Sequence, residues 1–517
     1  MEVLDAFPIA GTRHYTLLNT NEPPADPERI FIDSVISKTE ARLVWLDDEI
    51  PKLREKLKQL EYERASLPRY VTCNKAALAP LRRMPPEVLG EIFSWTLPTI
   101  ANVLNAGKFD MAQSPWLLTQ ISSRWRAVSL SIPSLWSRVV IQYPRLKYTA
   151  PGRIHYSHAL AETQISRAQT LKIHFYCCEQ TDPRPQIHMF YLLSQHSSRW
   201  EELSLALTPK MLPLLTTLRN QLPSLRRLWM EWDGGEDEIP VESLGSFHLA
   251  PSLVEFGLSN ETCVLPITFP IHQLTRLQFD GPWERHRGIL KLAPNLVEAH
   301  IEVFHEETWP EIGEIIDLPY LRGLYVSDHQ VLDYLRAPAL VGIGLVGWED
   351  GASDVLESFA PFLDRSACIL RRLTLVGFPD THTTTRILAK LPSVTEFAVA
   401  IDDSDASERV NLLMSTLTIS QASGVSEVAP QLRCLLFGCQ SDSSIDYNIF
   451  LKMLESRWRA EHCPLKAAAL LMEDPVQGLL TCDGFRALRR EGMDLSVMVE
   501  REVSTEIKGW AYATRWN

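Results

Sequence analysis

A chain of 517 residues and 58.8 kDa exceeds what one hydrophobic core holds, so at roughly 150 residues per domain it predicts three or more structural units. Apolar residues make up 45% and charged residues 22%, and the longest near-continuous apolar run, Leu340 to Trp348, falls well short of the roughly 18 residues of a membrane helix. The 51 bases and 64 acids leave −13 at pH 7, which argues against general nucleic-acid binding through net charge.

Residues 1–29 hold Pro8, Pro23, Pro24 and Pro27 with little apolar periodicity, and read as a flexible leader. Glu2 and Asp5 stand where a secretory signal carries positive charge. With nine cysteines in no framework spacing, this predicts a reducing compartment, cytoplasmic or nuclear. The sequon Asn260-Glu261-Thr262 is then unused.

Residues 30–68 predict a helical, coiled-coil-like arm. Leu43, Leu46, Ile50, Leu53, Leu57, Leu60, Arg64 and Leu67 alternate steps of four and three, the period of a helical seam. Pro51 predicts a kink near Ile50, and Pro68 the end of the pattern. Two readings stay open: self-association through the arm, or a helix or hairpin packed on its own protein.

A helix is expected from Pro86, whose fixed φ suits a first helical position, with Glu87 complementing the dipole. Val88, Leu89, Ile92 and Phe93 form its apolar stripe. Leu117, Leu118, Ile121, Trp125 and Val128 form a second stripe, before the turn Pro133-Ser134-Leu135-Trp136. In that order the three pieces resemble an F-box, most closely the F-box-like variety of large fungal families, with a heptad-patterned arm ahead of the box. The resemblance covers residues 36–140, with the box at 78–140. Met84 replaces the usual Leu, and about seventeen residues from Thr99 to Pro115 lengthen the gap between helices. The resemblance implies docking on the adaptor subunit of a cullin-RING ubiquitin ligase through Met84, Pro85, Pro86, Val88, Leu89, Ile92, Phe93 and Trp125.

Residues 165–517 repeat one phrase, apolar-x-x-apolar-x-apolar, often after Leu-Pro or Ala-Pro. Eleven copies run from Ala168/Leu171/Ile173 to Leu432/Leu435/Phe437 at a mean spacing of about 26 residues, with individual spacings of 19 to 38. This period fits a leucine-rich-repeat solenoid, and the resemblance is to an irregular leucine-rich repeat, since the usual Asn or Cys is missing. Helices at 447–461 and 484–491 and strands at 465–472 and 495–499 predict a C-terminal cap. The expected fold class is therefore mixed: an N-terminal all-α arm and helical F-box, followed by an α/β leucine-rich-repeat-like solenoid.

The remaining motifs have bland readings. The glycines of Gly342-Ile343-Gly344-Leu345-Val346-Gly347 match a dinucleotide fingerprint but fall inside a repeat strand. His305-Glu306-Glu307 lacks a second histidine, Cys434 and Cys439 lack C-x-x-C spacing, and Asp402-Asp403-Ser404-Asp405 lacks the glycine and glutamate of a calcium loop. No catalytic triad is assignable, so neither an enzyme, a cofactor nor a metal is expected. Residues 121–172 hold eight bases against Glu162 alone; an acidic protein partner is the economical reading there, rather than nucleic acid.

The function expected is a substrate receptor, an interaction protein in ubiquitin-dependent degradation. Its alternatives are a scaffold outside the ubiquitin machinery and, third, an α/β enzyme on a doubly wound sheet. Free positions beside the repeat's apolar ones should line a concave target-binding face, with Trp229, Glu231, Asp280, Glu298, His300, Glu302 and Tyr325 as its key residues. Six acids against three bases on that face predict a target with a basic segment, and Trp232, Trp283 and Trp348 are further anchor candidates.

Overall fold

A computed structural model describes residues 10–106, 109–143, 156–232, 245–259, 267–303, 309–311, 313–346, 355–377, 381–401, 407–419, 428–439, 446–460, 465–472 and 483–499. Trp348, Gly347, the sequon at 260–262, His305 to Glu307, Asp402 to Asp405, and Arg145, Lys147 and Arg153 of the basic segment lie outside these residues. The chain divides into two compact units, Met1–Glu91 and Ile92–Asn517.

In the first unit, α1 (Arg13–Asn19) begins where the Thr12 hydroxyl accepts from the Tyr15 N–H. The expected structureless leader thus holds a capped helix. Then α2 (Asp26–Ala77) runs for 52 residues, straight through Pro51 and Pro68. The helix does not stop at Pro68 and is not broken at Pro51, although each proline removes one N–H donor and crowds the carbonyl four residues back. No residue of α2 is buried.

The helix α3 (Pro86–Trp95) starts at the predicted proline. In the second unit, α4 (Ile100–Ala106) follows. The second predicted stripe breaks into α5 (Leu118–Ile121) and α6 (Ser123–Leu130), since Ser122 adopts an extended backbone and caps α6 by accepting from the Trp125 N–H at 3.2 Å. A 3-10 turn, Pro133–Trp136, buries Trp136 fully, and the indole donates to the Ser129 carbonyl at 2.8 Å.

Beyond it lies one 14-stranded, all-parallel sheet. Its strands are β1 (Arg138–Gln142), β2 (Leu171–Tyr176), β3 (Trp200–Leu207), β4 (Arg227–Trp232), β5 (Glu255–Ser259), β6 (Arg276–Gly281), β7 (Glu298–Val303), β9 (Gly323–Val326), β11 (Gly342–Val346), β12 (Arg372–Val376), β13 (Glu396–Ile401), β14 (Cys434–Cys439), β15 (Ala467–Met472) and β16 (Asp494–Val499). The short β8 (Ile316–Asp317) and β10 (Leu335–Arg336) pair separately. Spatial order follows chain order, and right-handed crossovers then set the connecting helices on one face.

This corrects the expected fold class. One long helix followed by a continuous parallel sheet with helices, an α/β arrangement, replaces the leucine-rich-repeat-like solenoid. The repeated phrase marks a turn and a buried strand, and any parallel sheet with strands in sequence order needs both. The strand order never reverses, so the described strands form no switch-point crevice of the doubly wound kind.

Two histidines are sealed into this unit. His286, in α7 (Trp283–Leu292), is fully buried with Nε2 3.1 Å from the Glu302 carbonyl, and burial pulls its pKa down to about 4. His174 in β2 is 3% exposed and is likewise held by burial at about 4. Unfolded histidine titrates near 6.5, so between about pH 6.5 and pH 4 the unfolded chain binds protons that the folded chain refuses. Stability is therefore full above that window and falls as pH drops through it. Denaturant unfolding at a series of pH values should show this slope, and it should be shallower in His174→Asn/His286→Asn.

Candidate functional site

Side chains alternate along a strand, so each phrase sends its apolar residues to the helix-bearing side. Leu228, Met230, Leu277, Phe279, Leu324 and Val326 are all buried there. The free positions reach the opposite face, where pairing aligns them into rows.

The first row is Lys172, Glu202, Arg227, Glu255, Arg276, Glu298, Gly323, Gly342, Arg372 and Glu396. Its charges alternate and pair across the strands. Lys172 Nζ lies 2.6 Å from Glu202 Oε1, Arg227 bridges Glu202 at 3.3 Å and Glu255 at 2.9 Å, and Arg276 bridges Glu255 at 3.6 Å and Glu298 at 2.9 Å. Arg372 pairs with Glu396 at 2.9 Å. The two glycines lie under neighbouring side chains: a Cβ on Gly323 would meet Glu298 Cγ at 3.4 Å, and one on Gly342 would meet Arg372 Cβ at 3.5 Å.

The second row runs His174, Ser204, Trp229, Gly257, Gln278, His300, Tyr325, Gly344, Thr374, Ala398, Leu436 and Ala469. The Trp229 indole fills the space over Gly257, where a Cβ would come within 2.1 Å of it. The His300 and Tyr325 rings meet edge to face at 4.3 Å, and His300 Nε2 lies 2.8 Å from Glu302 Oε1. In the third row Ser259 donates to Asp280 at 2.9 Å, beside Glu231 and Glu302 on β4 and β7.

All seven residues expected to contact a target therefore share this face, but in different roles. Tyr325, His300 and Asp280 are 1%, 6% and 8% exposed, closed to a partner, and Glu298 is engaged by Arg276. Trp229, Glu231 and Glu302 are half-buried. The expected acid excess shrinks, since Glu255, Glu298 and Glu396 are matched by arginines and the ladder also includes Lys172. What stays acidic is the third row. Of the other anchor candidates, Trp283 is fully buried core.

Sequence reasoning placed Tyr325, Arg372, Thr374 and Glu396 on the far half of the face but missed its apolar character. From β9 to β15, Tyr325, Val346, Val376, Ala398, Ala400, Leu436 and Leu471 form one buried apolar cluster. Two cavities also escaped notice. One of about 780 Å³ sits between turns at Pro223, Pro251 and Phe269; one of about 690 Å³ gathers Arg371, Arg433, Lys466 and Glu396.

The adaptor-binding candidates split by helix face. Leu89 and Phe93 are fully buried, with Phe93 4.8 Å from the half-buried Trp125 ring. Val88, Ile92 and Trp95 are 45%, 37% and 83% exposed. Pro85 and Pro86 are exposed and Met84 is half-buried.

The basic segment serves structure where it is described. Arg126 donates to the Thr119 carbonyl, Arg138 to the Pro98 carbonyl, and the Arg167 guanidinium lies 4.3 Å from the Trp136 ring centroid. Gly342 and Gly344 lie within β11 rather than after a strand. Among the described residues, no group of three or more His, Cys, Asp or Glu is placed to hold a metal ion, and no helix is long and apolar enough to cross a membrane. Compared with known proteins, the chain matches no family model and no curated protein.

The ladder makes a graded prediction. Glu255 sits between two arginines with its side chain 15% exposed, whereas Glu396 has one arginine and is 37% exposed. Denaturant unfolding should show Glu255→Gln losing about 1–3 kcal/mol, since it takes the carboxylate shared by two arginines from a largely shielded site, and Glu396→Gln losing under about 1 kcal/mol. Equal losses would refute a coupled ladder.

Proposed function

We propose that the chain is a non-catalytic substrate receptor of a cullin-RING ubiquitin ligase, with the box at 78–140 docking on the adaptor and the helix-free sheet face holding a target. Its role is proximity, raising the effective concentration of a target lysine near the ubiquitin-loading machinery. The observation that carries this reading is α3: Leu89 and Phe93 anchor the helix while Val88, Ile92 and Trp95 turn apolar side chains outward. Outward apolar surface on a short helix marks an interaction site. The F-box resemblance supplies the identity of the partner.

Co-expression of the full chain with the adaptor tests it. The wild type should copurify, and Ile92→Glu should weaken binding roughly tenfold or more while leaving thermal unfolding unchanged, because a charge on an exposed apolar contact costs binding rather than folding. A wild-type chain that fails to copurify overturns the ligase reading in favour of a scaffold.

For the target, the acidic third row favours a Lys/Arg-rich segment, with charge setting association rate more than final affinity. Once a target is in hand, Glu231→Lys/Glu302→Lys should slow its association about tenfold at low salt and less at high salt. Indifference to both charge and salt would refute this use of the face.

A further inference from the structure

We infer that α2 is half of a parallel, in-register, two-stranded coiled coil whose other half is a second copy of this chain. The seam is longer than its leucines alone indicate. Continuing the three-four alternation in both directions sets Ile36, Leu43, Ile50, Leu57, Arg64 and Val71 at the a positions. The d positions are Ile32, Thr39, Leu46, Leu53, Leu60 and Leu67. Leucine predominates at d, β-branched residues recur at a, and a single charged a position fixes register, which is the pattern of a parallel pair.

This seam lies open on the helix. Leu43, Ile50, Leu53, Leu57, Leu60 and Leu67 are 41% to 59% exposed, and no residue of α2 is buried. Pro51 and Pro68 each forfeit about 3 kcal/mol of helix stability, and helices draw most of their stability from packing an apolar face. Both prolines lie off the seam, at b and e. A second helix along the seam supplies the packing that α2 lacks.

Flanking charges select the occupant. In a parallel pair each g position faces the following e position of the partner helix. Arg42 then faces Asp47, Glu49 faces Arg54, and Lys56 faces Glu61: every charged pair attracts, and each occurs twice. An antiparallel pair would set Glu40 against Glu61 but would also oppose Asp47 to Arg54 and Glu49 to Lys56, so the a and d residues favour the parallel pair and a cross-link between identical d positions separates the two. A second copy thus meets the requirement without any foreign sequence.

The test is sedimentation of the full chain. The mass should be twice the 58.8 kDa of one chain. Glu49→Lys, which sets like charges opposite Arg54, should weaken the dimer roughly tenfold, and Glu49→Lys/Arg54→Glu should restore it. Under oxidation Leu46→Cys should cross-link between identical d positions, with the wild type as the control for native cysteines. A monomer at every accessible concentration overturns the inference. So does a dimer that Glu49→Lys leaves unweakened, or one whose Cys-substituted seam does not cross-link.

Discussion

The sheet depends on one repeated hydrogen-bond arrangement at the point where each strand begins. The carbonyl just ahead of a strand accepts two N–H groups from the next: Arg226 O from Val254 and Glu255, Val254 O from Thr275 and Arg276, and so on through Arg433 O from Lys466 and Ala467. Nine successive carbonyls do this. Ahead of most of them stands a tight turn with proline in its second place, as in Ala250-Pro251-Ser252-Leu253, where the Leu253 N–H closes on the Ala250 carbonyl at 3.1 Å. Proline suits that place because its φ is preset. The turn's end residues, Ala250 and Leu253, are fully buried, so turn, burial and register are fixed together at each strand.

Because this arrangement locks register from β4 through β15, equivalent residues stack in rows across the sheet. The ion-pair ladder follows from that. Lys172, Glu202, Arg227, Glu255, Arg276 and Glu298 come from six separate strands, spaced about 4.8 Å apart, close enough for each charge to meet opposite charges on both sides. Where the alternation pauses, at Gly323 and Gly342, the flanking Glu298 and Arg372 side chains cover the gap. Gly257 plays a related part, since only a residue without Cβ lets Trp229 lie across the neighbouring strand.

Local pattern made much of this legible. Each of the eleven phrases leads into a strand of the large sheet, and the helix at Pro86 begins where its first-turn chemistry predicts. Other features were out of reach for physical reasons. The ladder depends on which strands are neighbours, a long-range property that no single phrase reveals, and so Glu202 went uncounted. β1 reads Arg-Val-Val-Ile-Gln inside a basic segment, without the turn that announces the others. The apolar half of the face is built partly from Ala398, Ala400 and Ala469, residues too small to register as a hydrophobic pattern. The choice between a repeat solenoid and an open parallel arrangement rests on how strands assemble, not on the phrase, and there the expectation failed. At the arm, two prolines outweighed a pattern whose helix continues past both.

The ladder also changes what the face can offer a partner. A carboxylate such as Glu255, held by two arginines and mostly shielded from water, has little left to give, and separating it from them would cost more than a new contact returns. The buried alanines and valines of the far half are closed in the same way. On the receptor reading proposed above, a partner would meet the half-buried Trp229, Glu231 and Glu302, the last already 2.8 Å from His300. An aromatic anchor beside acids is suited to a basic, partly apolar segment, and the paired row next to it holds the strands at fixed spacing so that little order is lost on binding. On that reading the charge pairs would contribute chiefly by rigidity, leaving selectivity to the few side chains beside them.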